Sequence, residues 1–257
     1  MLKSRLCIAF FAFAVGCAPA QKPLTDYVNP MLGTATLWDS VDLGFKPTKR
    51  TWGAEVFPGS SLPNAMVQVS PVTKFHSGAG YQYEDSVIYG FTHTNKGHWN
   101  LCHIPLLPVT GTPTPGDYCS PFSHERESAA PGYYQVFLDR YGVDAQLSST
   151  LRCAFHKYTY PAGAAASLLA DLQRSNEHVR AWDIRKEGDN VFAGWQQTGE
   201  KMYFYAVANR PVTGIEPVVE GDREVRIVRF GEGDGALELR IGFSLSRIHI
   251  SEPTRRR

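Results

Sequence analysis

The sequence predicts an all-β protein, a two-layer antiparallel β-sandwich spanning residues 21–246. Three observations carry this. From Met66 onward the chain is a succession of short runs that alternate apolar and polar residues and are rich in β-branched and aromatic side chains. The 23 glycines and 17 prolines, with Asp and Asn, break these runs at short intervals. No stretch holds a helical period over a dozen residues.

The runs follow in order. "MVQVS" (66–70), "SVIYGFTHT" (86–94) and "IPLLPVTG" (104–111) come first. "YYQVFLD" (133–139), "LRCAFHKYTY" (151–160) and "SLLADL" (167–172) form the middle. "VRAWDIRKEGDNVFAGWQQ" (179–197), "MYFYAVANRPV" (202–212), "REVRIVRF" (223–230) and "ALELRIGFSLS" (236–246) close the series. "EGDN" (187–190) and "GEGDG" (231–235) have the composition of hairpin turns. Residues 27–63, dense in Gly and Pro, read as a long loop, and long loops on a β scaffold tend to carry binding residues.

The two ends stand apart from the fold. Residues 1–20 read as an export leader: Lys3 and Arg5, then an apolar run over 6–15, too short to span a membrane as a mature helix. Two processing routes are open. Ala18-Pro19-Ala20 suits ordinary signal peptidase, and Ala14-Val15-Gly16-Cys17 resembles a lipobox that would leave a lipid anchor on Cys17. Either route implies export, to the periplasm or as an outer-membrane lipoprotein of a bacterium. The closing string over 247–257, ending in three arginines, reads as translated sequencing-adapter DNA; a natural basic tail is the other reading.

Without the six basic and one acidic residues of these ends, 20 basic residues face 24 acidic ones, a net charge of −4. An acidic body gives no electrostatic reason to expect nucleic acid. Beyond the leader, three cysteines remain: Cys102, Cys119 and Cys153. A Cys102–Cys119 bridge and three free thiols are both open.

The densest chemistry lies in "GFTHTNKGHWNLCHIP" (90–105). His93, His98 and His103 are spaced by five, which on an alternating strand sets neighbours on opposite faces, so zinc is disfavoured. No nucleophile elbow is present, and Cys102 beside His103 reads as a packing thiol. A sugar suits the residues better. Its ring stacks on an aromatic face, and its hydroxyls need fixed donors and acceptors. Trp99 with His93 and His98, and Trp52 with Glu55, offer that set.

Several motifs, in order, extend this. They are "YVNPMLGT" (27–34), "FPGSSLPNAMVQVSP" (57–71), "SGAGYQYEDSVIYGFTHT" (77–94) and "PLLPVTG" (105–111). A long S-x-F-S-H-x-x-E-x-A-x-P-G-Y-Y pattern over 120–134 follows. Together they resemble the N-terminal region of glycoside hydrolase family 92, the exo-α-mannosidases. The resemblance implies a β-sandwich domain of a calcium-dependent, inverting enzyme acting on mannose-containing glycans, the α-mannosides of N-glycans or mannan. It also implies a partner domain, a larger C-terminal (α/α)6 barrel that carries the acid, the base and the calcium ligands. No catalytic or metal residue is therefore carried onto this chain, which alone is expected to be inactive. The substrate-binding candidates are Trp52, Glu55, His93, His98 and Trp99, as one wall of a sugar pocket. The loop 95–100 departs from the Leu-Ser-Gly-Thr-Gly-like loop of many members, so no linkage preference is carried over. A free-standing carbohydrate-binding module is the rival reading.

Overall fold

The computed structural model describes residues 22–36, 55–97, 99–233 and 235–246. The leader with Cys17, Trp52, His98 and the basic tail lie outside the described residues. The first strands are short: β1 (Ser60–Ser61), β2 (Gln68–Val72), β3 (Val87–Ile88), β4 (Gly90–Thr92), β5 (Asn95–Lys96) and β6 (Trp99–Asn100). Next come β7 (Leu106–Val109), β8 (Ser120–Pro121), β9 (Glu127–Ala130), β10 (Tyr133–Leu138), β11 (Val143–Ser149) and β12 (Cys153–Thr159). The last are β13 (Ser167–Ala170), β14 (Ala181–Gly188), β15 (Val191–Gln197), β16 (Lys201–Ala208), β17 (Val212–Glu220), β18 (Arg223–Phe230) and β19 (Leu237–Ser244).

Two antiparallel sheets form the body. One has the order β1-β2-β4-β7-β13-β18-β17; the other runs β14-β15-β16-β19-β12-β11-β10-β9. In the second sheet β10, β11, β12 and β16 alternate buried and partly exposed residues, as period-2 strands with one covered face must. Aromatic rings bridge the sheets. Phe91 on β4 stacks with Tyr158 on β12 at 6.3 Å, and Phe192 on β15 meets Phe230 on β18 edge-on at 6.2 Å. One apolar cluster, with Val69, Leu106, Leu168, Tyr134, Phe204 and Leu239 among its members, fills the space between. This is the two-layer sandwich that the alternation implies.

β4, β7 and β13 are buried at every position. Val72, on the opposite face of β2 from Val69, joins Phe75 and Cys102 in a second small cluster with Tyr89. Loops thus cover the outside of the seven-stranded sheet, and the segments that cover it also form the site. Cys102, Cys119 and Cys153 are free thiols, and burial pushes the Cys102 thiol above its usual range. Cys102 packs as expected, but from a left-handed loop position (φ 52°) rather than from a strand.

The two turn motifs diverge. Residues 187–190 do join β14 to β15 as a hairpin, with Gly188 opposite Val191. Residues 231–235 do not form a hairpin. β18 pairs with β13 and β17, whereas β19 pairs with β12 and β16, so this connection crosses between sheets.

One close approach has a measurable consequence. A Cβ on Gly194 would stand 2.1 Å from the Asp183 carbonyl oxygen and 2.8 Å from the Phe204 ring. Gly194→Ala is expected to cost about 1–3 kcal/mol as an overpacked interior site. An unchanged denaturant midpoint would count against this packing.

Candidate functional site

The site is built on the connection between β4 and β7. This chain segment leaves the sheet, turns at Gly97, and returns as the small β5–β6 hairpin, with Lys96 opposite Trp99. The turn projects Trp99, which is 54% exposed, whereas its neighbour Asn100 is buried. Asn100 anchors the hairpin: its side-chain oxygen accepts from the Cys102 N–H at 2.8 Å, and its own N–H donates to the Gly78 carbonyl at 2.8 Å.

A second segment, over 172–180 between β13 and β14, is tied to this hairpin base. The Asn176 side chain donates to the Asn100 carbonyl at 2.6 Å and to the Ser77 carbonyl at 3.1 Å. The Asn176 and Ser175 groups also satisfy the Leu101 carbonyl, at 3.0 and 2.7 Å. Gln196, fully buried on β15, accepts from the Ile104 N–H at 2.9 Å and donates to the Leu172 and Arg174 carbonyls. That bond helps hold Ile104 at φ 54°, a conformation strained for a β-branched residue.

His103 sits at the centre of the join. Its Nδ1 lies 2.8 Å from the Thr94 hydroxyl, and its Nε2 lies 3.1 Å from both Glu177 Oε2 and the Thr198 hydroxyl. Thr198 donates to Glu177 at 2.6 Å. With that hydroxyl committed, the neutral ring with its proton on Nε2 satisfies every contact, Thr94 donating to Nδ1. Burial lowers the His103 pKa, opposed by Glu177. The Thr198 bond, then His103 and Lys96, hold the Glu177 carboxyl below its usual range against partial burial. Chemically this is a partly exposed anion, Glu177, fixed by His103 and Thr198 at the base of the hairpin that carries an exposed indole. It can orient hydroxyls and stack a ring. An inverting hydrolysis needs two carboxylates about 6.5–9.5 Å apart with water between them, and this network contains Glu177 alone.

The expected residues separate. Trp99 stands on the hairpin, and Glu55 is exposed. His93 is fully buried between the sheets and is corrected from wall to core. Its ring stacks on Phe243 at 4.6 Å, and its Nε2 lies 3.2 Å from Nε2 of His156. His156 Nδ1 is 2.5 Å from the Tyr158 hydroxyl. Burial holds the His93 pKa down to about 3 and pushes that of His156 well below 6.5. Glu177, Thr198, Asn176 and Gln196 were not foreseen. Asn176 and Glu177 lie in the polar run "RSNEH" (174–178) between β13 and β14, whereas Gln196 and Thr198 carry no such signal.

A family model described as the glycosyl hydrolase family 92 N-terminal domain matches residues 27–244. Among solved structures, the family GH92 alpha-mannosidase BT3965 from Bacteroides thetaiotaomicron is similar at 24% identity and TM-score 0.75. It covers 90% of this chain and 34% of its own. The same protein in complex with mannoimidazole matches with the same figures. The family GH92 inverting mannosidase BT2199 from Bacteroides thetaiotaomicron VPI-5482 is 21% identical, with TM-score 0.71, covering 90% of this chain and 33% of that one. The chain thus spans about a third of the length of these structures. No curated protein sequence matches it significantly.

Proposed function

The chain belongs to glycoside hydrolase family 92 through its N-terminal domain, and from that membership we propose that it is the sandwich domain of an exported exo-α-mannosidase. The match over residues 27–244 is the observation that carries the reading. The likeness to family GH92 mannosidases, one in complex with mannoimidazole, supports mannose-containing glycans as substrate. The proposed parent cleaves α-mannosides of N-glycans or mannan with inversion, using an acid and a base in a C-terminal (α/α)6 barrel. Export runs through the leader, with a lipid on Cys17 as the anchored form.

Calcium is proposed for the parent, not for this chain. Among the described residues no three or more His, Cys, Asp or Glu side chains converge to hold a metal. These residues do not fit the ion, and no step runs through it here.

In this reading the chain supplies one wall of the pocket. Trp99 stacks on a sugar face, Glu177 and His103 brace the hairpin behind it, and Trp52, Glu55 and His98 complete the wall. An exo-enzyme must enclose a terminal sugar, and a second domain can do so without supplying acid or base. In the protein carrying the downstream domain, Trp99→Ala is expected to lower kcat/KM for mannosides about tenfold, about 1.4 kcal/mol of transition-state stabilisation. Its exposure predicts a Tm close to that of the parent. A large fall in Tm with kcat/KM unchanged would reduce Trp99 to packing. The purified chain by itself is expected to release no mannose; release would relocate the catalytic groups to this domain.

A further inference from the structure

Beside the hairpin lies a cleft of about 810 Å³, lined by the 173–182 segment together with His76 and Arg223. It opens where the start of β14 meets the turn between β17 and β18, and it shares Asn176 and Glu177 with the hairpin network. The charge of its lining is opposite to that of the body. Arg174, Arg180 and Arg223 face one lining carboxylate, Glu177, whose Oε2 already accepts from Thr198. Asp171, fully buried, offsets one of these charges through its 2.5 Å pair with Arg223.

The cations are held differently. Arg174 is fixed, its guanidinium over the Phe75 ring at 4.3 Å and the Tyr89 ring at 5.0 Å. Arg223 is oriented by Asp171. Arg180 is exposed at the mouth and has no side-chain partner among the described residues. The half-buried Trp182, with Arg226 over its ring at 5.3 Å, adds an aromatic wall. Charges of one sign in a concave, partly desolvated wall attract counter-charge more strongly than on open surface, and guanidinium forks match the oxygens of a phosphate or carboxylate.

We propose that this cleft binds an anionic sugar, a glycan unit bearing a phosphate ester or a carboxylate, with Arg180 and Arg223 on the oxyanion and Trp182 beside the ring. The anion part stands on the cleft itself; the sugar part rests on the mannoside reading above. Bound there, a charged branch would sit beside the hairpin that carries Trp99.

Titration calorimetry on the purified chain tests this with four probes: mannose 6-phosphate, glucuronate, mannose and inorganic phosphate. Mannose 6-phosphate or glucuronate is expected to bind at least tenfold more tightly than mannose, and binding should weaken as salt rises. Arg180→Glu should weaken that binding about tenfold and Arg180→Ala less, with Tm unchanged in both. Absence of binding by both charged sugars, or binding indifferent to Arg180→Glu, overturns the proposal. Inorganic phosphate binding as tightly as mannose 6-phosphate overturns the sugar part alone. If the protein with its downstream domain loses the binding seen in this chain, the cleft is a domain-docking face and the glycan assignment falls. No mannosidase assay enters, so failure of the enzyme reading registers separately.

Discussion

Glu127→Ala is expected to destabilise the fold by about 3–5 kcal/mol, the range for removing one member of a buried charged cluster. The Glu127 carboxylate is 1% exposed and serves three donors. Tyr81 reaches its two oxygens at 2.9 and 3.0 Å, Tyr134 reaches one at 2.6 Å, and His124 Nδ1 lies 2.5 Å from the other. Burial, then Glu127 itself, push both phenols far above their ordinary pKa, so each remains a donor. His124 is held in turn by the Tyr83 carbonyl at 2.7 Å and by stacking on the Tyr83 ring at 3.9 Å. Alanine would leave two buried hydroxyls and a ring nitrogen unpaired around a new cavity. Glu127→Gln keeps an acceptor for the tyrosines but turns an amide donor toward His124, and should cost about 1–3 kcal/mol. Denaturant unfolding measures both. A Glu127→Ala loss under about 1 kcal/mol would mean that water replaces the carboxylate at no cost.

Acidification from pH 7 to 5 is the second large effect. His93, His156 and His103 are all shifted below the ordinary value of 6.5, chiefly by burial. Each must stay neutral to remain folded, yet binds a proton freely once unfolded. The stability they confer is complete above the unfolded pKa and is lost as pH falls toward the folded one. For His93, folded at about 3, the loss at pH 5 is about 2 kcal/mol, and His156 adds in the same direction. Carboxylates contribute little above pH 5, and Asp171, raised by burial, acts with the opposite sign. Unfolding near pH 5.5 should therefore take up more than one proton. In His93→Leu the acid limb should be shallower by about one proton, whatever its absolute stability. Stability that is flat between pH 7 and 5 would show that these rings exchange protons with solvent while folded.

Much of the fold was legible because strand periodicity is local. In β11, Val143, Ala145 and Leu147 point inward and Asp144, Gln146 and Ser148 outward, an alternation visible in consecutive letters, whereas in β12 the letters do not show that His156 is inward and Phe155 outward. The same rule has nothing to say about β4, β7 and β13, where both faces are covered and every residue is buried. His93 fell in that gap. It follows β4, and its ring partners come from β12 and β19, 63 and 150 residues away in the chain. The motif over 120–134 was visible as a pattern, but its reason was not: Tyr81 lies 46 residues upstream of the carboxylate it bonds.

The sequence by itself determined the sandwich class and the family, because each depends on short runs and ordered motifs; the hairpin that lifts Trp99 into solvent came from the structure. Only the tertiary structure decided that residues 231–235 cross between sheets, since Gly, Asp and Glu suit either kind of turn and the choice rests on where β19 finds its neighbours. It also decided that His93 is core, that Glu177 braces the hairpin, and that three arginines share one cleft. Those outcomes are set by contacts between residues far apart in the chain, and they form only when both sheets close on one apolar core.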